Sequence, residues 1–228
     1  MEFPEIFSRN ILFRGKEKQE IVRNSSILIA GIGGLGCVVS EILVRSGIGK
    51  LILVDFDIVT GSDLNRQILY DHNDIGKPKA EIARNKLKAI SDHSDIIPLQ
   101  IKITESNLIE FKNHYFNGIA DCLDNFESRF ALERLLRKDQ FLVHGGVESD
   151  FGQITTIIPE KTQRLKDIYP NMKNRDSIIP VIPTTVLTIG SLMAQEILNN
   201  ILGEPKLVNE MLIIELADFS FSKVILRK

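Results

Sequence analysis

Ile27-Leu28-Ile29-Ala30-Gly31-Ile32-Gly33-Gly34-Leu35-Gly36 is the stretch that decides the fold. Its apolar start reads as a buried strand. Gly31, Gly33 and Gly36 then fall in the order G-x-G-x-x-G, ahead of a helical pattern that runs to residue 46. Such a turn lets backbone approach a phosphate and aims the free N–H groups of a helix N-terminus at it. A second apolar strand, Leu51 to Val54, ends in Asp55-Phe56-Asp57. A carboxylate in that place suits the hydroxyls of a ribose. Alone, the glycine triplet is a weak sign. With a strand before it, a helix after it and Asp55 beyond, it predicts a nucleotide-binding βαβ unit.

Outward from this unit, strand and helix patterns alternate. A short amphipathic helix is expected at 16–24, strands at 26–31 and 50–55, and a helix at 78–90 opened by Pro78. A strand at 96–102, a helix at 105–113, a strand at 118–123, a helix at 126–138 and a strand at 141–144 follow. This order predicts an α/β fold, a Rossmann-like doubly wound and mostly parallel sheet. Beyond Gly146 the pattern changes. Gln153 to Ile158 alternates as an antiparallel strand does, 160–177 is polar and loop-like, and Thr184 to Leu202 reads as a long apolar helix. Leu212–Leu216 and Lys223–Leu226 would close the sheet as a C-terminal antiparallel extension. The whole, 1–228, is expected to be a single domain. About 25–145 would be the nucleotide-binding half and about 146–228 the half that shapes an acceptor site and a dimer surface.

Composition excludes several classes. The 228 residues are 43% hydrophobic, enough for one substantial core. A net charge of −2 creates no global field toward nucleic acid or anionic membrane. No apolar run reaches the ~18 residues of a membrane span. The start, Met1-Glu2-Phe3-Pro4-Glu5, is acidic and lacks an apolar signal core, so no secretion signal is expected there. With two cysteines, Cys37 and Cys122, a disulfide framework is not expected, and the chain reads as cytoplasmic.

The charged residues near the glycine turn share a logic. Arg66, Lys77 and Lys79 are cations close in sequence to the phosphate end, and Asp124 falls just past a strand, at the rim where open α/β sheets bind ligands. A dinucleotide oxidoreductase has no need of several cations and a separate carboxylate; an enzyme that attacks the α-phosphate of a triphosphate does. In this respect the chain resembles the ThiF/MoeB/HesA adenylyltransferases, relatives of the adenylation domains of ubiquitin-activating enzymes. The resemblance runs from Phe7-Ser8-Arg9-Asn10-Ile11-Leu12 through Gly31–Gly36, Asp55-Phe56-Asp57 and Asn65-Arg66-Gln67. It continues through Ile75-Gly76-Lys77-Pro78-Lys79 and Asp124-Asn125-Phe126-Glu127-Ser128-Arg129 to Gly152-Gln153-Ile154 and Ile189-Gly190-Ser191-Leu192.

The resemblance implies ATP and Mg²⁺, and formation of an acyl-adenylate with release of pyrophosphate. Gly31, Gly33, Gly34, Gly36, Asp55, Asp57, Asn65 and Gln67 would bind the nucleotide. Arg66 and Lys79 would act on the phosphates, and Asp124 would position the metal. Arg9 would reach the site of the other subunit of a homodimer. Other residues have plainer readings. Asp57 could cap a turn, Lys77 is a solvated cation, and Arg129 would pair with Asp124 or Glu127. His144 reads as a satisfied histidine at the edge of the core. Tyr169 and Arg175 could line an acceptor pocket, though loop residues like these are usually exposed.

Three departures matter. Where sulfur-carrier-activating members have a Cys-x-x-Cys pair, this chain reads Leu165-Lys166-Asp167-Ile168-Tyr169-Pro170, so no zinc is expected. Asp176 or a neighbour stands where many members have a transfer cysteine. The usual Ser-Asn-Leu-Asn-Arg-Gln reads Ser62-Asp63-Leu64-Asn65-Arg66-Gln67, which puts an added carboxylate near the phosphates. A missing transfer cysteine and a short chain suit the HcgE-type branch, which adenylates a pyridinol carboxylate in iron-guanylylpyridinol cofactor biosynthesis. The alternative acceptor is the C-terminal glycine of a ubiquitin-like sulfur carrier, in molybdopterin or thiamin synthesis. Two readings of another class are an NAD-binding oxidoreductase and a non-catalytic dimeric scaffold.

Overall fold

The structure is a computed structural model that describes residues 3–172 and 179–226. Eight strands form one sheet: β1 (Ser26–Ala30), β2 (Lys50–Val54), β3 (Asp95–Leu99), β4 (Gly118–Asp121), β5 (Phe141–Glu148), β6 (Phe151–Ile157), β7 (Glu210–Glu215) and β8 (Ser220–Ile225). Their order is β3-β2-β1-β4-β5-β6-β7-β8. The first five are parallel and the last three antiparallel, as the sequence predicts. The chain steps outward from β1 to β2 and β3, then returns to place β4 on the other side of β1. That reversal opens a crevice at the C-terminal ends of β1 and β4.

Alternation along the strands feeds two cores, one on each face. Ile27 and Ile29 of β1 and Leu51 and Leu53 of β2 point into one. It is covered by α2 (Gly34–Arg45), α3 (Lys79–Ile90) and α6 (Pro183–Ile201). Leu28, Ala30, Ile52 and Val54 point into the other, with Phe111, Phe116, Leu132 of α4 (Phe126–Glu133) and Leu165 of the short α5 (Leu165–Ile168). Strands buried on both faces explain the continuous apolar runs.

The boundaries differ in informative ways. The first helix, α1 (Ser8–Arg23), starts earlier than expected and breaks at Gly15, which adopts φ +81° at no steric cost. The expected helix at 105–113 is a 3₁₀ run, Glu105–Phe111, and α4 stops at Glu133. Strand β5 continues past His144 through Gly145 and Gly146 to Glu148. A Cβ at Gly145 would strike Met193, and one at Gly152 would strike Ile189, so these glycines let α6 lie directly on the β5–β6 hairpin. No described helix is long and apolar enough to cross a membrane.

Candidate active site

The glycine turn fills the mouth of the crevice. Gly31 has φ +85°, and a Cβ there would lie 2.9 Å from the Cys122 carbonyl. A Cβ at Gly36 would collide with the carbonyl of Gly31, so α2 starts hard against the turn. No side chain caps α2, whose first N–H groups have no partner within the helix. Two side chains fasten the turn from below. The buried Asp55 carboxylate accepts from the Ile32 N–H at 2.6 Å and from the Asp57 N–H at 2.8 Å. The Tyr70 hydroxyl donates to the Ile32 carbonyl at 2.8 Å. Burial holds the Asp55 carboxyl above its usual range, against the pull of these N–H groups and of Lys79.

Beside the glycine turn lies a buried ammonium. Lys79, the first residue of α3, places its Nζ 3.4 Å from Asp63 and 3.9 Å from Asp57, with its side chain 7% exposed. Asp63 points inward, away from the position the sequence suggests. It accepts from the Thr60 N–H at 2.9 Å, the Thr60 hydroxyl at 3.0 Å and the Gln67 amide at 2.6 Å. Burial alone would raise its pKa, but the Thr60 N–H and the Lys79 charge bring it below the usual carboxylate range. The added carboxylate is therefore a counter-ion for Lys79 and a brace for Gln67. Arg66 is more open. It donates to the Ser62 carbonyl and to Asn65 Oδ1, both at 2.9 Å, and lies 3.9 Å from Asp63. Gln67, whose amide nitrogen lies near Gly33, keeps a buried Oε1 without a hydrogen-bond partner among the described residues.

Asp57 and the exposed Asp124 complete the rim. Burial holds the Asp57 carboxyl above its usual range; Lys79 pulls it down, and the negative charges of Asp124 and Asp63 push it up. The two rim carboxylates thus feel one another. Asp57 caps no turn, and Lys77 is exposed as expected. No cluster of three or more metal-ligating side chains occurs among the described residues. Mg²⁺ needs none, since it is commonly held by one or two carboxylates together with substrate phosphates. Asp57 and Asp124 fit that donor set.

Two residues, Arg129 and Tyr169, differ from their sequence readings. Arg129 does not pair with Asp124 or Glu127. It is buried, donates to the carbonyls of Leu123 and Gly145, lies 3.8 Å from Asp121 and stacks on Phe126. Tyr169 is largely buried rather than exposed and bonds to both His144 and Gln153. Arg9 is exposed on α1 and is not brought to this crevice. Neighbouring Asn10 donates to the Arg45 carbonyl at the C-terminal end of α2. The glycine turn lies at the other end of that helix, about 18 Å away at 1.5 Å per residue. Arg175 and Asp176 lie outside the described residues. Cys37 and Cys122 are free thiols, Cys37 pushed up to about 12 by burial and Cys122 raised for the same reason, so neither is a ready nucleophile.

A doubly wound sheet, a glycine turn at its reversal point and a buried cation on the phosphate side define an α/β nucleotide-binding protein. Likeness to known proteins narrows this. The ThiF family model matches residues 7–228, and the chain belongs to that family. It is an ATP-dependent adenylyltransferase of the ThiF/MoeB type. It is 31% identical to the sulfur carrier protein adenylyltransferase of Thermus thermophilus over 94% of this chain and 83% of the relative. It is 30% identical to the molybdopterin-synthase adenylyltransferase of Escherichia coli, over 88% and 83%. The crystal structure of the microcin C7 biosynthetic enzyme MccB with N-formylated MccA shares the fold, with a TM-score of 0.86 at 19% identity, over 98% of this chain and 73% of that one.

Proposed function

We propose that this chain, working as one adenylation domain, activates a carboxylate by joining it to AMP. A carboxylate oxygen attacks the α-phosphorus of ATP, the bond to the β-phosphate oxygen breaks, and pyrophosphate leaves. The observation that carries this reading is Lys79, a buried ammonium fixed between Asp63 and Asp57 beside the glycine turn. Its orientation is set in advance, so charge developing on the phosphates meets a cation that need not reorganise. Arg66, braced by Ser62 and Asn65, supplies a second one. Asp55, Gln67 and the turn glycines would hold ribose and phosphates. Asp124, with Asp57, would hold Mg²⁺, which neutralises phosphate charge when bound.

The acceptor reading leans to a small pyridinol carboxylate, as in iron-guanylylpyridinol cofactor biosynthesis. A buried Cys37 and a half-buried Cys122, both with thiols raised by desolvation, favour an enzyme that stops at the adenylate, in a cytoplasmic setting. The second reading is the C-terminal glycine of a ubiquitin-like sulfur carrier. It is supported by the relatives' names and by the exposed apolar side chains Phe219, Phe221, Val224 and Ile225 on and beside edge strand β8. Mass spectrometry after incubation with ATP, Mg²⁺ and each acid separates the two by which one yields an acyl-adenylate. Conversion of neither acid by a protein that binds NAD would overturn the adenylation reading.

The same reading includes a homodimer in which Arg9 serves the partner copy. Its support is the distance of Arg9 from its own crevice and the exposure of Leu12 and Phe13 on α1, 86% and 88%. Mixing Arg9→Ala with Lys79→Ala protein would then restore one competent site per mixed dimer. No recovery in verified mixed dimers would contradict action in trans.

A further inference from the structure

Below the rim runs a buried chain of hydrogen bonds that the chemistry above does not use. Asp121 at the end of β4 and His144 in β5 are both fully buried, with Asp121 Oδ2 2.7 Å from His144 Nδ1. The other ring nitrogen, Nε2, lies 3.2 Å from the Tyr169 hydroxyl. Gln153 of β6 donates to that hydroxyl at 2.6 Å. An ionised carboxylate only accepts, so Nδ1 carries the proton and Nε2 accepts from Tyr169. His144 and Tyr169 are thus each bonded on both sides, in a chain that runs from β4 to the segment behind α5.

The chain has one outlet. Asp121 Oδ1 accepts from the Leu123 N–H at 3.2 Å, and Arg129 donates to the Leu123 carbonyl with two nitrogens. Leu123 is thereby held at its N–H and its C=O, immediately before Asp124. On the far side of Asp124, Phe126 packs against Tyr169 at 5.2 Å between ring centroids, and its ring lies under the Arg129 guanidinium. Asn125 accepts from the Ser128 N–H and fixes the start of α4. Asp124 itself has little to hold it, being exposed with a single 3.3 Å contact from Asn125.

We propose that His144 and Tyr169 are positioning residues for Asp124, holding its carboxylate ready for the divalent cation through Asp121, Leu123 and Phe126. The inference rests on the nucleotide reading of the crevice. It assigns the segment behind α5 a part in setting the metal side of the site. Tyr169 and His144 would act through the turn they clamp rather than by contact with nucleotide or metal.

The test is calorimetric binding of α,β-methylene-ATP, with Mg²⁺ and with EDTA, to the full chain. Tyr169→Phe removes the hydroxyl and keeps the ring on Phe126. The expected result is a loss of about tenfold in the tightening that Mg²⁺ confers, with the Mg²⁺-free affinity held. Asp124→Asn should abolish that tightening, and Tyr169→Phe added to it should cost nothing more, because both act on one group. Equal weakening with and without Mg²⁺, or additive losses in the double variant, would overturn the proposal. So would wild-type binding that Mg²⁺ does not tighten. Wild-type protein that fails to bind the analogue at all would overturn the nucleotide reading itself, an outcome distinct from the others.

Discussion

The parallel half, β1 to β4, and the antiparallel half, β5 to β8 with α6, each bury a carboxylate, and they use it differently. Asp63 takes its hydrogen bonds from Thr60 and Gln67, close in sequence, and has the ammonium of Lys79 at 3.4 Å. Glu196 of α6 accepts from the Thr156 hydroxyl at 3.0 Å and the N–H groups of Lys206 and Leu207 at 2.8 and 2.9 Å. Its hydrogen-bond donors are neutral. Both acids are anchors. Only the first also holds a cation at the crevice. In this pair the acid at the crevice holds a cation, while the acid with neutral donors joins helix to sheet.

Lys79→Ala is the hardest test of that contrast. It should lower adenylation by at least about 10²-fold, as removal of a preorganised charge does. It should also cost about 3 kcal/mol in denaturant unfolding, because Asp63 is left buried without its cation. Adding Asp63→Asn should return much of the stability and none of the activity. Recovery of both would mean that Lys79 is only structural.

Glu196→Ala comes next. It strands the buried Leu207 N–H, the part-buried Lys206 N–H and the Thr156 hydroxyl, a loss of about 2 kcal/mol, while the folded protein should keep its adenylation rate. A fall in rate comparable to that of Lys79→Ala would erase the distinction between joint and site.

The smallest effect is electrostatic and belongs to His144. Burial, joined by the Arg129 charge, lowers its pKa from 6.5, against the pull of Asp121. Below pH 6.5 the unfolded chain therefore binds a proton that the folded chain refuses. The contribution of this histidine to stability is complete above that pH. It declines as pH falls toward the folded pKa, by about 1.4 kcal/mol for each pH unit between the unfolded and folded values. Unfolding free energies of wild type and His144→Gln between about pH 5 and 7.5 should show the steeper acid decline in the wild type. Parallel curves would contradict this.

The sequence is most legible where the candidate site is built from contiguous residues. The glycine turn, Asp55 and the block around Arg66 lie within one βαβ unit and its following loop, and local pattern reveals each of them. Asp63 sits in that block, yet its direction is hidden: whether a carboxylate faces phosphate or core depends on a lysine brought back by α3. The bonds from Asp121 to His144 and from His144 to Tyr169 span separate strands and a loop, so no spacing announces them. Gly145 and Gly146 read as the end of a strand, where in fact they make room for Met193 and Gln153. The reach of α1 is obscured because its exposed Leu12 and Phe13 blur the amphipathic pattern.

Whether this crevice joins a carboxylate to AMP is read out by exchange of labelled pyrophosphate into ATP in the presence of candidate acids. Exchange should depend on one of the acids and on Mg²⁺, and should disappear in both Arg66→Ala and Asp124→Ala. Exchange unchanged in those two variants, or a protein that binds NAD and not ATP, would contradict it.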